Sequence, residues 1–283
     1  MTTKTFKQQM PTLEPDVLML VDALNLAFRW KHSKAQHFVE EYLQTVNSLR
    51  KSYKASKVII TCDQGSSAYR KSIYPLYKQN RKDKQELQTE QEEEEFKVFF
   101  DEFLGVIDRY RDDNEFPLIR FDKVEADDSA AYITNKAVRK GYKVVLVSSD
   151  RDWDLLVQPN VMRFSYVTRK EVTLDNWNEH YEYNPDDHIS IKCLTGDTGD
   201  NIPGVPGIGP KKAHALVREY GSTYDIIASL PIVSRYKHIA NLNDFGAEAL
   251  LLNYKLMDLV SHCEEAIGPD NCKQIDQVLE RYL

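Results

Sequence analysis

The chain has 283 residues, 42% of them hydrophobic, with 37 Lys+Arg against 44 Asp+Glu and a net charge of −7. That composition excludes a disordered chain, and a length of roughly two domains at ~150 residues each leaves room for a substantial core. Cys62, Cys193, Cys263 and Cys272 show no C-x-x-C spacing, which argues against a zinc module or a disulfide framework and suits a reducing cytoplasm. No stretch approaches the ~18 apolar residues of a membrane span.

Residues 1–16 read as a loose leader, since the first apolar run, VLMLVD, starts at Val17 and ends at Asp22. A helical pattern follows over 38–53, then the strand-like KVIITCD of Lys57–Asp63. Residues 70–84 are basic, with Tyr69, Tyr74 and Tyr77 interleaved among Arg70, Lys71, Lys78, Arg81, Lys82 and Lys84, a mixture suited to a single nucleic-acid strand. From Gln85 to Ile107 one helix is expected, polar in its first half, with Phe96, Phe99, Phe100, Phe103, Leu104 and Ile107 on a buried stripe. PLIRF at 117–121 and KVVLVSSD at 143–150 are further strands around a helix over 126–139. This alternation predicts an α/β fold, a mostly parallel central sheet flanked by helices. The texture changes near 185, where a domain boundary is expected before a Gly/Pro-rich stretch and helical patterns to the end.

Asp22, Asp63 and Asp150 each terminate an apolar run, and ligands of open α/β sheets bind at the carboxyl ends of strands. One such aspartate is ordinarily a helix cap. Three on one rim, joined by Glu125, Asp127 and Asp128 in VEADD, by Asp152 and by Asp197 and Asp200, form a carboxylate set too repulsive to stand without divalent cations. Oxygen-only donors select Mg²⁺ or Mn²⁺ over zinc, and a pair of such ions about 4 Å apart serves phosphoryl displacement. Phosphodiester hydrolysis is thus the chemistry expected, with Trp153 as a packing residue. An aspartyl phosphatase is disfavoured because its D-x-D follows the first strand, whereas Asp150 and Asp152 follow a late one.

The segment 196–212, GDTGDNIPGVPGIGPKK, sets Gly204, Gly207 and Gly209 among prolines before a helix, with Lys211 and Lys212 at its start. Backbone amides and lysines so placed suit a phosphate backbone and predict binding without base readout.

Three segments, VEADD at 124–128, SSDRDWDLL at 148–156 and GDTGDNIPGVPGIGPKKA at 196–213, resemble the flap endonuclease and 5′-3′ exonuclease family, which includes the 5′-nuclease domain of DNA polymerase I; free-standing bacteriophage members look nearest. The resemblance implies a PIN-like nuclease core over 17–185 with a helical arch at about 78–107, and a helix-three-turn-helix subdomain over 186–283 that binds duplex DNA. It implies a first metal held by Asp22, Asp63, Glu125, Asp127 and Asp128, and a second by Asp150, Asp152, Asp197 and Asp200. Tyr77-Lys78-Gln79-Asn80-Arg81 is similar to the family's segment at the arch base, which makes Lys78 and Arg81 the catalytic cations. Arg70, Tyr77, Lys82, Lys84, Lys192, Gly204, Gly207, Gly209, Lys211 and Lys212 become DNA contacts. Implied cofactors are two Mg²⁺, with Mn²⁺ as a substitute, and a monovalent K⁺ at the helix-three-turn-helix. The implied partner is DNA with 5′ flaps or free 5′ ends, met by a monomer in the cytoplasm of a host cell.

Overall fold

The computed structural model describes residues 16–33, 35, 37–113 and 115–283, so all of the expected leader except Asp16 lies outside the described residues. Strands β1 (Val17–Asp22), β2 (Lys57–Thr61), β3 (Leu118–Ile119), β4 (Lys143–Val147), β5 (Val161–Ser165) and β6 (Lys170–Val172) form one sheet in the order β3-β2-β1-β4-β5-β6. All neighbours are parallel except the β5/β6 pair. Register pairs Asp22 with Thr61 and Val21 with Val147, so the segments after β1, β2 and β4 leave the sheet at one rim.

Both faces of the sheet are covered, which is why its strands read as continuous apolar runs rather than alternating ones. Met19, Val21, Val58 and Ile60 face α1 (Ala23–His32), α2 (Val39–Ser52) and the later α5 (Glu90–Asp113), whose Phe99, Phe103 and Ile107 reach the same core. Leu18, Leu20, Ile59 and Leu146 face the opposite way. After β2 come α3 (Ala68–Ile73), α4 (Gln79–Glu86) and α5 (Glu90–Asp113). The single helix expected from Gln85 is therefore broken. Thr89 is the cause: its backbone N and hydroxyl donate to the Glu92 carboxylate, and Glu92 N donates back to the hydroxyl at 3.3 Å, a capping box that starts a new helix.

Helix α6 (Ala126–Arg139) covers the second face. Beyond β6, α7 (His188–Thr195), α8 (Pro210–Tyr220), α9 (Thr223–Ser229) and α10 (Lys237–Met257) share a core of Ile191, Leu194, Val205, Ile208, Leu216, Leu242 and Leu250. Helices α11 (Leu259–Ile267) and α12 (Pro269–Tyr282) do not belong to it. Their Leu259, Cys263, Ile267, Ile275 and Leu279 pack with Leu18, Leu20 and Ile133 behind the sheet. The apolar stripes of the last two helices are thus buried against the nuclease core. Among the described residues no helix is long and apolar enough to cross a membrane.

Candidate active site

The rim is built from strand ends and helix starts. Asp22 closes β1 and caps α1, accepting from Asn25 N at 3.2 Å and from the Ser148 hydroxyl at 2.8 Å. Asp63 follows β2 and accepts from Ala126 N, the first amide of α6, at 2.6 Å. Asp127 lies in the first turn of α6 and accepts from the Trp153 indole N–H at 2.5 Å. Asp150 caps the 3₁₀ turn Arg151–Leu156, taking Asp152 N at 2.9 Å. None of the four forms an ion pair among the described residues, and they burden one another. Burial, then Asp63, push Asp22 up to about 8; burial, then Asp150, Asp63 and Asp22, lift Asp127 well above the carboxylate range. Asp63 and Asp150 are also raised, by burial and then by Glu125 and Asp152 respectively.

A second group of acids is already neutralised by cations. Burial would raise Glu125, but Lys78 Nζ at 2.8 Å and Arg70 outweigh it and hold the carboxyl at about 2. Lys78 also stands 3.7 Å from Asp200, and these anions keep its ammonium charged against the cost of burial. Arg81 reaches Asp200 at 2.5 Å and the Gly199 carbonyl at 3.2 Å. Lys192 stands between Asp152, at 2.6 Å, and Asp197, at 3.4 Å. Among the described residues no three acidic, His or Cys side chains converge on a point as a finished coordination shell would. Glu125, Asp152, Asp197 and Asp200 are thus ion-paired, whereas Asp22, Asp63, Asp127 and Asp150 are not among the described residues.

The arch base is locked to the loop after α7. Lys78 N donates to the Asp200 carbonyl at 2.9 Å, Asn80 to the Thr198 carbonyl at 2.6 Å, and Asn201 back to the Leu76 carbonyl at 2.8 Å. Lys78 adopts φ 56°, a left-handed conformation that starts α4 where its side chain can enter the site.

Several expected roles change. Arg70 is 3% exposed and grips Asp128 with bonds of 2.7 and 2.8 Å, so its guanidinium faces a fully buried carboxylate rather than the surface. Tyr77, 2% exposed, donates to Glu125 and Asp200 at 2.9 Å each and offers no ring to a base. Tyr74 is bonded to the Asn201 carbonyl. Lys192 points into the carboxylates instead of toward a duplex. Lys82 and Lys84 remain exposed on α4.

In the loop from Gly196 to Gly209 the tight approaches are internal. A Cβ on Gly204 would lie 2.1 Å from the Thr195 carbonyl oxygen, and one on Gly196 would lie 2.3 Å from Gly204 N. Gly204 thus packs the loop on itself, while Gly207, Gly209, Lys211 and Lys212 form its exposed side. Lys212 donates to the Gly207 carbonyl at 2.8 Å.

Sequence reasoning missed Asn25 and Ser148. Asn25 accepts from Ser149 N at 2.8 Å and Ser148 orients Asp22, so the end of β1 is tied to the end of β4. The cap spacing of Asp22 to Asn25 was the available signal.

Two family models match, described as the 5′-3′ exonuclease N-terminal resolvase-like domain over residues 17–182 and the 5′-3′ exonuclease C-terminal SAM fold over 183–278. The flap endonuclease of Escherichia phage T5 is 41% identical over 255 residues, 89% of this chain and 86% of the relative. DNA polymerase I of Deinococcus radiodurans is 32% identical over 256 residues, 85% of this chain but 24% of the polymerase. A crystal structure of the phage T5 flap endonuclease as a pseudo-enzyme-product complex with DNA and metal ions superposes with TM-score 0.88 at 39% identity, covering 93% of this chain and 98% of the other. A T5 5′-exonuclease structure with divalent zinc bound gives TM-score 0.89 at 38% identity, over 94% of this chain and 99% of the other. The chain therefore belongs to the 5′-3′ exonuclease family and is a metal-dependent, structure-specific 5′ nuclease of the flap-endonuclease type.

Proposed function

We propose that the enzyme hydrolyses a DNA phosphodiester where a 5′ flap or free 5′ end meets duplex, leaving a 5′-phosphate and a 3′-hydroxyl, with two Mg²⁺ ions or Mn²⁺ in their place. The observation that carries this is the group of Asp22, Asp63, Asp127 and Asp150, four carboxylates from separate segments at one rim with no ion-pair partner among the described residues, each raised by burial and by neighbouring acids. An all-oxygen donor set of high charge fits hard divalent ions. Such ions would lower the pKa of the attacking water and offset charge gathering on the phosphate.

Asp22, Asp63, Glu125 and Asp127 would hold one ion, and Asp150, Asp152, Asp197 and Asp200 the other. Ser148 and Trp153 fix the rotamers of Asp22 and Asp127, so these oxygens are oriented before substrate arrives. Lys78 and Arg81 stand on Glu125 and Asp200, beside the carboxylates that would hold the ions, where their charges would stabilise the transition-state charge of the scissile phosphate. The exposed side of the 196–212 loop, Gly207, Gly209, Lys211 and Lys212, grips the duplex backbone, with K⁺ as a further ion there. Lys82 and Lys84 line the path of the 5′ end.

A 5′-labelled flap incubated with Mg²⁺ or with EDTA, beside a single-stranded RNA and a small phosphomonoester, tests this. Cutting of the flap alone, and only with Mg²⁺, is expected. Cleavage that survives EDTA, or equal cutting of the RNA, would overturn it.

A further inference from the structure

Arg163 stands at the centre of β5, among Val161, Met162, Phe164 and Ser165 and beside Leu146 of β4. It is 5% exposed, and its ion-pair partner Asp154 is 2% exposed. The guanidinium bonds to two places. Its Nε and Nη2 donate to the Asp154 carboxylate at 2.5 and 2.9 Å, and its Nη1 donates to the Ser148 carbonyl at 3.1 Å. Residues 148 and 154 are the two ends of one short segment, so a single buried side chain ties both ends of it.

Four side chains of that segment serve the rim. The Ser148 hydroxyl donates to Asp22 at 2.8 Å and accepts from Asp150 N at 3.1 Å. Asp150 and Asp152 belong to the carboxylate set itself, and the Trp153 indole donates to Asp127 at 2.5 Å. A further tie holds the segment from outside: the Tyr181 hydroxyl donates to Asp154 and accepts from Arg151 Nε at 3.3 Å. Burying an ion pair does little for stability, because desolvation consumes most of the attraction and apolar side chains of similar volume serve as well. What a bidentate guanidinium–carboxylate contact does supply is a fixed distance and plane.

Resting on the nuclease reading above, we propose that Arg163 and Asp154 are positioning residues for metal binding: by spanning residues 148 and 154 they hold Ser148, Asp150, Asp152 and Trp153 where the rim needs them, and they act on the ions only through those groups. The experiment uses the full chain and the double variant Arg163→Met with Asp154→Leu, which removes one charge of each sign and so leaves the net charge at −7. Three quantities are measured: Tm in EDTA, Mn²⁺ binding followed by the electron paramagnetic resonance of the free ion, and flap cleavage as a function of Mg²⁺ concentration. The variant is expected to keep a Tm close to wild type while the Mn²⁺ concentration at half-saturation rises about 10-fold, with a similar rise in the Mg²⁺ needed for half-maximal cleavage. Arg163→Lys keeps the charge but cannot reach both Asp154 oxygens and the Ser148 carbonyl at once, so its Mn²⁺ binding should fall between the two. Wild-type Mn²⁺ binding by the double variant would overturn the proposal, as would a lowered Tm with the folded protein still binding Mn²⁺ as wild type does, which would make the pair a support of the fold alone. If the double variant does not fold, Arg163→Lys decides by the same titration: weakened Mn²⁺ binding supports the proposal and wild-type binding overturns it. Failure of the wild-type chain to cut a flap with Mg²⁺ would sink the nuclease reading, whereas wild-type cleavage beside unaltered Mn²⁺ binding in the variants would sink this one alone.

Discussion

Lys78 occupies a strained backbone position for one purpose, to carry a charged ammonium into a site where Glu125 and Asp200 hold it. Lys78→Ala should lower kcat by about 10²-fold while changing flap affinity in Ca²⁺ little, because transition-state charge is lost but backbone grip is not. A pure affinity loss in single-turnover measurements would contradict the role. Arg70 shows how the same residue type can serve the opposite end. Its guanidinium, buried against Asp128 and bonded to the Leu256 carbonyl at 2.8 Å, ties α3 to α6 and α10. Arg70→Met should cost about 3–5 kcal/mol in urea unfolding, since Asp128 would be left buried without its counter-ion. A variant of wild-type stability with weakened DNA binding would restore Arg70 to the surface role its sequence context suggests. No pattern of charges along a chain tells which cation will meet a buried acid. Arg70 and Lys82 look alike in the sequence, and only the fold separates them.

At the level of elements, the strand ends were readable because a buried parallel strand is an unbroken apolar run, and Asp22, Asp63 and Asp150 mark where each run stops. The β5/β6 pair was not, because β5 carries Arg163 at its centre. That arginine is buried by bonding Asp154 at 2.5 and 2.9 Å and the Ser148 carbonyl at 3.1 Å, a pairing no periodicity records. The glycine-rich loop was legible as a loop, though not in which glycines serve it from within. Gly204→Ala would drive a methyl group into the Thr195 carbonyl, so it should lower Tm and duplex affinity together, while Gly209→Ala, with open space at its Cβ, should leave Tm unchanged. Equal effects at both positions would contradict the distinction. His188 at the start of α7 sets a pH limit on the same unit. Burial, then Lys192, depress its imidazole from 6.5 to about 4, and its Nε2 has no hydrogen-bond partner among the described residues. Protonation is easier in the unfolded chain, so the stability due to neutral His188 is complete above pH 6.5 and is lost as pH falls toward 4, by up to about 3 kcal/mol. His188→Gln should flatten urea-unfolding stability across that window; an unchanged slope would place the titration elsewhere.

Across the whole molecule, the net charge of −7 conceals a division of labour. Acids gather at one rim from five stretches of chain, glutamates 92–95 lie at the start of α5, and cations collect on α4 and on the 207–212 surface. The last two helices pack against the catalytic core from behind the sheet. On the proposed reading, the carboxylates without ion pairs among the described residues hold metal for phosphodiester cleavage and neither maintain the fold nor bind DNA. Asp150→Asn tests this most directly, because Asp150 caps a short turn that an asparagine caps equally well. With a 5′ flap, cleavage in Mg²⁺ should fall by about 10²-fold or more while the Kd in Ca²⁺ and the Tm stay at wild-type values. Near-wild-type cleavage, or loss of binding and stability together with activity, would contradict it.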